Sequence, residues 1–285
     1  TLDLVRDQGY AIVAGFLSAD ELAAARVALF ENFPSPEEYF ADPSAHQHLV
    51  AHPFAGLRRF PFTGWPLYRL AFHPDLVDAA ERFCGTAELD LYKIELWAKY
   101  GGAVDFDQPL HRDYGNHNLV VPRADGRWPQ MTTFTLLSDV GEGDGPTRVV
   151  PKAAGDHIPL SRSFLEAGDL AEHEVAVTGP AGSLFIYTTD IFHRASSMTG
   201  HERSRFVLLA DFKARGPTWM GRSAWPDTAL QPEWDEILGC SSPRERELFG
   251  FPPLGHEYWN EQTLDDVGER WPRIDMQPYR DASGA

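Results

Sequence analysis

The feature that most constrains the fold is a series of short apolar segments between residues 89 and 215, separated by turns rather than by helices. Glycine-rich turns such as Gly141–Gly145 and Gly179–Gly182 lie between them. Strands at this spacing favour an antiparallel sandwich over a parallel sheet with alternating helices. We therefore predict a mainly β protein with a jelly roll at its centre. Its predicted strands, rich in β-branched or aromatic residues, are Leu91–Lys99, Met131–Leu137, Arg148–Pro151, Glu174–Val177, Ser183–Tyr187 and Arg205–Phe212.

The segment before these strands begins with a strand and two helices. Tyr10–Val13 is a short apolar strand, and Ser18 with Glu21 forms a capping box for the helix that follows. That helix is predicted to include Ala23–Phe30, and a second helix is predicted over Pro74–Phe83. Residues 34–66 show no clear period, so no element is predicted there.

The segment after the strands is rich in tryptophan and proline, and its aromatic side chains require burial against the rest of the protein. Only Pro243–Leu248 has a short helical pattern in this tail. We predict one domain over residues 1–285, with a helical N-terminal region (1–88), a jelly-roll core (89–215) and a C-terminal cap (216–285).

Charge and cysteine content exclude several classes of protein. The net charge is −17 and the pI is about 5.0, so the surface repels phosphate backbones, and we expect neither nucleic acid nor a membrane as partner. Two cysteines do not make a disulfide framework, and residues 1–16 lack the hydrophobic stretch of a signal peptide. We therefore expect a cytoplasmic monomer or homodimer that acts on a small molecule.

A His-x-Asp pair, His111 and Asp113, lies at the edge of the strand-rich region. On an extended segment these two side chains point to the same side, so an imidazole nitrogen and a carboxylate oxygen can reach one metal ion. The pair alone is weak evidence, since it could equally belong to a surface loop or a helix cap. A second pair, His73 and Asp75, precedes a predicted helix, where Asp75 is better explained as satisfying free backbone amides.

A third candidate ligand, His193, follows an apolar strand and a short polar turn. It lies 82 residues after His111 (193 − 111), which leaves room for the intervening strands. Two histidines and one carboxylate on one face of an iron leave positions open for a co-substrate and O2. Arg203 and Arg205 then open the last strand, and the planar fork of an arginine is well matched to a carboxylate.

Four stretches of the sequence are informative together. They are Gly9–Ser18 with Glu21 and Leu22, Pro109–Asp113, Gly145–Pro151 with Gly155–His157, and Gly182–Phe185 with His193 and Arg205. Their order and spacing resemble the phytanoyl-CoA dioxygenase family of iron(II)/2-oxoglutarate oxygenases, over roughly residues 5 to 213. The resemblance implies a double-stranded β-helix, the cupin-like jelly roll, with His111, Asp113 and His193 as the catalytic metal ligands. It also implies iron(II), 2-oxoglutarate and O2 as cofactor and co-substrates.

The expected activity is that of an oxidoreductase, which couples oxidative decarboxylation of 2-oxoglutarate to hydroxylation of a small organic substrate. In related halogenases a small residue replaces the acid, so the carboxylate of Asp113 favours hydroxylation, desaturation or ring closure. Two alternatives remain open at this point. One is a cupin-like metal-dependent dioxygenase that does not use 2-oxoglutarate, and the other is a non-catalytic jelly roll that binds a small molecule.

Residues around the predicted metal site are candidates for binding the organic molecules. Arg205 is preferred over Arg203 for the distal carboxylate of 2-oxoglutarate, because it abuts the apolar strand and is expected to lie deeper. Asn116, His117 and Trp128 are predicted to bind substrate. Further aromatic candidates for the pocket walls are Trp65, Phe106, Tyr114 and Trp219.

Overall fold

The structure is a computed structural model, and it describes residues 1–102, 107–166, 168–221 and 224–284. Within these ranges nine strands form, which we number in chain order. They are β1 Tyr10–Val13, β2 Leu57–Arg59, β3 Leu89–Tyr100, β4 Gln130–Leu136, β5 Thr147–Val149, β6 Val175–Ala176, β7 Leu184–Thr188, β8 His193–Ala195 and β9 Ser204–Ala214.

The strands form two antiparallel sheets. The larger sheet has six strands in the order β1-β7-β4-β9-β3-β2, and the smaller has three in the order β6-β5-β8. Val149 and Val177 from the side of the small sheet pack in one buried cluster with Phe185 and Tyr187 of the large sheet. The predicted mainly β jelly roll is therefore confirmed.

The register of the large sheet defines which side chains face the small sheet. Because side chains alternate along each strand, residues paired across strands lie in rows on one face. One row is polar and combines Lys93, Asp211, Thr132 and Tyr187, each paired with the next across the sheet. Two residues along, Glu95, Leu209, Phe134 and Phe185 form the next row.

Helices surround the sheets. In the described ranges they are α1 Leu2–Gln8, α2 Ala19–Leu29, α3 Pro36–Ala41, α4 Trp65–Ala71, α5 Pro74–Cys84, α6 Tyr114–His117, α7 Lys152–Gly155, α8 Glu233–Cys240, α9 Pro243–Glu247, α10 Glu261–Arg270 and α11 Gln277–Ser283. None of the described helices is long and apolar enough to cross a membrane.

The C-terminal tail packs on the outer strands through aromatic side chains. Trp225 donates a hydrogen bond from Nε1 to the carbonyl of Leu91 at 2.9 Å, and the amide of Leu91 donates to the carbonyl of Leu248 at 2.8 Å. Phe60 packs against Trp234 and Phe249 with ring centroids 5.2 and 5.7 Å apart. The tail thus shares a hydrophobic core with the N-terminal helices and β3. The division into three regions of one domain stays a prediction.

The predicted elements agree with the structure in kind, and their bounds differ by a few residues. The first long helix begins at Ala19, directly after its cap Ser18. The capping box fixes this start, because the Ser18 side chain accepts from the amide of Glu21 and the Glu21 side chain accepts from the amide of Ser18. The strands β2 and β8 and the helices α1, α3, α4, α6, α7, α8, α10 and α11 were not predicted. They span three to ten residues, and most of them are too short to show a period.

Candidate metal centre

The backbones of His111 and His193 are joined directly. The amide of His111 donates to the carbonyl of His193, and the amide of His193 donates back to the carbonyl of His111, both at 2.9 Å. This reciprocal pair is an antiparallel bridge that adds the segment around His111 to the edge of the small sheet next to β8. Two residues that lie far apart in sequence are therefore held side by side by the main chain.

The three candidate ligands converge on one point. The Nε2 atoms of His111 and His193 lie 3.8 and 3.5 Å from Oδ1 of Asp113. One nitrogen or oxygen atom from each residue lies within 4.8 Å of the others, and all three residues are buried. This is the only such group of histidine, cysteine or acidic side chains found among the described residues.

The remaining polar atoms of the three residues already have partners. Nδ1 of His111 lies 3.0 Å from the carbonyl of Pro109, and Nδ1 of His193 lies 3.4 Å from that of Ile191. The hydroxyl of Tyr187 donates to Oδ2 of Asp113 at 2.6 Å. These outer contacts leave two Nε2 atoms and one Oδ1 facing a common point. The arrangement fits a two-histidine, one-carboxylate iron site with open positions.

Burial and neighbouring charge set the protonation states that such a site requires. Burial, with a smaller contribution from His193, lowers the pKa of His111 to about 4. Burial alone would raise the pKa of Asp113, but its interactions with His193, His117 and Lys93 outweigh burial and hold this pKa well below 3.8. At neutral pH the site therefore offers a neutral imidazole and a carboxylate, the forms that bind metal ions.

Arg112, between the two ligands in sequence, anchors the segment from behind. Its side chain points away from the metal face and donates hydrogen bonds to the carbonyls of Gly155, Ile158, Pro159 and Arg162, at 3.1 to 3.3 Å. Its guanidinium also lies 4.0 Å from the ring centroid of Phe192, the neighbour of His193. A buried cation therefore ties the His-x-Asp segment to the loop that follows α7.

A cavity of about 320 Å³ opens on the metal face. It is lined by the three candidate ligands and by Arg205, together with Lys93, Glu95 and Asn116. Burial lowers the pKa of Arg205 to about 10, so this side chain remains a cation at neutral pH. One of its nitrogens donates a hydrogen bond to the carbonyl of Gly145. The apolar walls include Phe54, Leu57, Trp97, Phe134, Phe164 and Leu209.

The structure separates the two candidate arginines. Arg205 is 8% exposed and faces the cavity. The side chain of Arg203 is 63% exposed, does not line the cavity, and lies 3.7 Å from Asp144. The difference arises because β9 begins at Ser204, so Arg203 stands in the turn before the sheet.

The three predicted substrate residues lie in different surroundings. Asn116 lines the cavity. His117 is buried behind it, with Nδ1 3.0 Å from the hydroxyl of Tyr92 and Nε2 3.3 Å from Nζ of Lys93, and does not line it. Trp128 lines a second cavity, which shares no described residue with the first, so the structure does not place this side chain at the metal centre.

Of the aromatic wall candidates, none of the described ones faces the metal. Trp219 also lines the second cavity. Trp65 begins α4 in the N-terminal region, and Tyr114 is buried with its hydroxyl donating to the carbonyl of Leu160. Phe106 lies outside the described residues.

Sequence reasoning missed Tyr187 and Glu95 as residues of this site and did not place Lys93 there. The signal for Tyr187 was its place at the end of the strand that leads to His193. Lys93, Glu95 and Lys99 stand at alternate positions of β3, a spacing that indicates a polar stripe on one face of the strand. Lys93 lies 2.8 Å from Asp211 and 3.9 Å from Glu95. Burial disfavours its charge, but these acids outweigh that cost and raise its pKa.

Comparison with solved structures identifies several with the same fold. The epimerase SnoN, in complex with Fe3+, alpha ketoglutarate and nogalamycin RO, is 21% identical, with 75% of this chain and 82% of that chain covered and a TM-score of 0.52. The alpha ketoglutarate dependent carbocyclase SnoK is 20% identical, with 81% and 90% covered and a TM-score of 0.54. EctD from S. alaskensis, with 2-oxoglutarate and 5-hydroxyectoine, is 21% identical, with 75% and 74% covered and a TM-score of 0.55.

Sequence comparison gives the family. A search of curated proteins finds no match. The sequence profile described as phytanoyl-CoA dioxygenase matches residues 5–206, which is most of the chain. The jelly roll and the converging His-Asp-His group agree with that match. The chain therefore belongs to the phytanoyl-CoA dioxygenase family, a family of iron and 2-oxoglutarate dependent oxidoreductases.

Proposed function

We propose that this chain is an iron(II)- and 2-oxoglutarate-dependent dioxygenase that hydroxylates a small organic substrate. His111, Asp113 and His193 are proposed to hold the iron, and Arg205 to bind the distal carboxylate of 2-oxoglutarate. The observation that carries the proposal is that the three ligand atoms and Arg205 line one cavity. Family membership supports the same cofactors.

The charges of the cavity match the two ends of 2-oxoglutarate. Its 2-oxo acid end is a chelating group, and an iron held by three protein ligands would have positions left to bind it. Its other end is a carboxylate, and Arg205 is a buried cation with a fork of donors. The iron and co-substrates, when bound, supply the oxidising chemistry, in which 2-oxoglutarate loses CO2 and becomes succinate.

The residues of the chain would position the reactants and exclude water. Tyr187 holds one oxygen of Asp113, so a single carboxylate oxygen is directed to the metal. Phe54, Trp97 and Phe164 form apolar walls that favour a partly apolar substrate. Asn116, at the edge of α6, offers that substrate a hydrogen-bonding amide. The volume of about 320 Å³ must hold both organic molecules, so the substrate is proposed to be small.

We propose hydroxylation as the reaction, and the mass of the product distinguishes it from the related oxidations. The neighbours named above include an epimerase and a carbocyclase, and EctD was solved with a hydroxylated molecule, so one fold carries several outcomes. A hydroxylated product gains one oxygen atom, a desaturated or cyclised product loses two hydrogens, and an epimer keeps its mass. Mass spectrometry of products that form with succinate therefore separates these reactions.

An anaerobic titration with iron(II), with and without 2-oxoglutarate, tests the cofactor assignment. We expect a visible metal-to-ligand charge-transfer band only when both are present. A dioxygenase independent of 2-oxoglutarate would bind iron without that band, and a non-catalytic jelly roll would consume neither O2 nor 2-oxoglutarate. Screening a panel of small molecules for substrate-stimulated succinate release then identifies the substrate class.

The chain provides a matched control for the ligand assignment. Asp113→Ala removes the acid of one His-x-Asp pair and should abolish iron binding and succinate formation. Asp75→Ala removes the acid of the other pair, which begins α5, and should change neither. If Asp113→Ala left both unchanged, the assignment of the ligands would be wrong.

A further inference from the structure

A second cavity, of about 670 Å³, lies beside the candidate metal centre. It is bounded by the loop from Asn118 to Gln130, by Thr188–Asp190 after β7, and by Trp219. The segments Asp113–Asn118 and Tyr187–Asp190 separate the two cavities, since each contributes residues to both. Among the described residues none lines both, so the second cavity is a distinct space with its own chemistry.

The charge of this cavity opposes that of the whole chain. The chain carries a net charge of −17, yet the described lining of the cavity contains four cations and one acid. The acid is Asp190, and the cations are Arg6, Arg123, Arg127 and Lys152. Arg123 is paired with Asp125, and Arg6 lies 3.5 Å from the exposed Asp3. When Asp3 and Asp125 are counted with Asp190, the four cations still exceed the three acids by one, and on a protein this acidic that local balance favours an anionic ligand.

The rest of the lining is apolar and exposed to solvent. Val120 and Val121 are 50% and 53% exposed, and Trp219 is 46% exposed. Trp128 packs edge-on against Trp219, with ring centroids 5.5 Å apart. The guanidinium of Arg127 lies 4.5 Å from the ring centroid of Trp128. Apolar side chains gathered at a concave site with cations at its edge are typical of a binding site.

The backbone of Trp128 adds an independent observation. This residue has a φ of 57°, in the left-handed region that a large side chain adopts at an energetic cost. Such conformations persist where the surrounding structure holds a side chain in a required position, and they concentrate at functional sites. Here two guanidinium groups contact the indole of Trp128, that of Arg123 at 5.5 Å and that of Arg127 at 4.5 Å from the ring centroid.

We propose that the second cavity binds an amphipathic anion, a free molecule with a carboxylate or phosphate head on an apolar body. Arg127, Lys152 and Arg6 bind the head, while Trp128, Trp219 and Val121 contact the body. A free molecule fits better than a membrane surface, because a concave site encloses a ligand, whereas a bilayer is met by protruding side chains. This site is additional to the proposed oxygenase site and does not depend on it.

The test is calorimetric titration of the full chain, free of metal, with four probes. Octanoate and octyl phosphate carry an anionic head on an apolar body, whereas octanol lacks the charge and acetate lacks the body. We expect both amphipathic anions to bind, with an affinity that falls as salt is added. Their relative affinities distinguish a carboxylate from a phosphate as the preferred head. Binding of octanol as tight as that of octanoate would overturn the proposal.

Variants locate the site. Arg127→Ala and Lys152→Ala should each weaken octanoate binding roughly fivefold, the equivalent of about 1 kcal/mol for a partly exposed charge contact. Arg270→Ala is the matched control, because Arg270 also stacks on a tryptophan, 4.9 Å from Trp271, but lies in the C-terminal cap. Octanoate affinity unchanged in the Arg127→Ala, Lys152→Ala double variant would refute the location.

Competition separates this site from the proposed oxygenase site. With iron(II) and 2-oxoglutarate present, octanoate should bind with the same affinity and leave the charge-transfer band in place. Loss of the band on adding octanoate would mean that the anion enters the metal cavity, which contradicts the proposal. Absence of the band altogether would refute the oxygenase assignment while leaving the anion site standing. If the protein sedimented with anionic vesicles but did not bind octanoate, the cavity would be a membrane contact and the proposal of a free anionic ligand would be wrong.

Discussion

Replacing Arg205 with alanine should weaken 2-oxoglutarate binding far more than replacing Arg203. Arg205 is 8% exposed in the metal cavity, so its pair with a carboxylate would be shielded from water. Removing one partner of such a desolvated pair costs about 2–5 kcal/mol, or roughly 30- to 5,000-fold in affinity. The side chain of Arg203 is 63% exposed, and an exposed pair contributes no more than about 1 kcal/mol, or roughly fivefold.

The assay is an anaerobic titration of the iron(II) protein with 2-oxoglutarate, followed through the charge-transfer absorption. Iron affinity, measured separately, should be the same in both variants, because Arg205 makes no contact with His111, Asp113 or His193 among its described hydrogen bonds. Arg205→Lys keeps the charge but loses the fork of donors, so it should recover part of the affinity. The wild-type and Arg203→Ala proteins serve as references.

Equal and small effects from both alanine variants would refute this reasoning. The distal carboxylate of 2-oxoglutarate would then be assigned to one of two lysines on the inner face of β3. Lys93 belongs to the buried polar row with Asp211, and Nζ of Lys99 donates to the carbonyl of Ser196 at 2.6 Å. A large loss in Arg203→Ala alone would instead show that the turn before β9 closes over the cavity.

Three further outcomes are expected. Tyr187→Phe removes the donor to Asp113 and should weaken iron binding by about 10- to 100-fold, as measured by competition with a chelator; unchanged affinity would show that this hydroxyl does not orient the ligand. Arg112→Met should lower the free energy of unfolding by about 3 kcal/mol in urea, since four carbonyls lose a charged donor; a midpoint like that of the wild type would contradict this. Burial raises the pKa of Cys84 to about 12, so a thiol reagent at pH 8 should label exposed Cys240 first, and equal rates would oppose the described burial.

The strands were predictable from sequence because their burial is regular. β3 and β9 are almost wholly buried over 12 and 11 residues, and their dense apolar and aromatic residues are visible without a structure. The polar residues within them were visible too, but not their role. Lys93 becomes a cavity residue only because β3 pairs with β9 in a register that sets it opposite Asp211. Register depends on contacts between distant segments, which periodicity in one segment does not contain.

The short elements of the N-terminal region show a different limit. α3 has a capping box formed by Ser35 and Glu38, and this local signal is visible in the sequence. It was overlooked because the segment around it shows no clear period. β2 has three residues, and it is a strand only because β3 offers it a partner. Trp128 follows His111 closely in sequence, but its loop lines the second cavity and not the metal centre. Proximity in sequence therefore did not predict its position.

The main-chain bridge between His111 and His193 has a consequence for how the metal would be acquired. Joining two points 82 residues apart (193 − 111) in a flexible chain costs about 4 kcal/mol in loop entropy by the logarithmic rule. In this fold the two reciprocal amide hydrogen bonds hold the histidines together through the main chain alone. Metal entry would then require little ordering of the chain. The ion would bind to a site that the main chain has already formed, and it would not be needed as a cross-link to form that site.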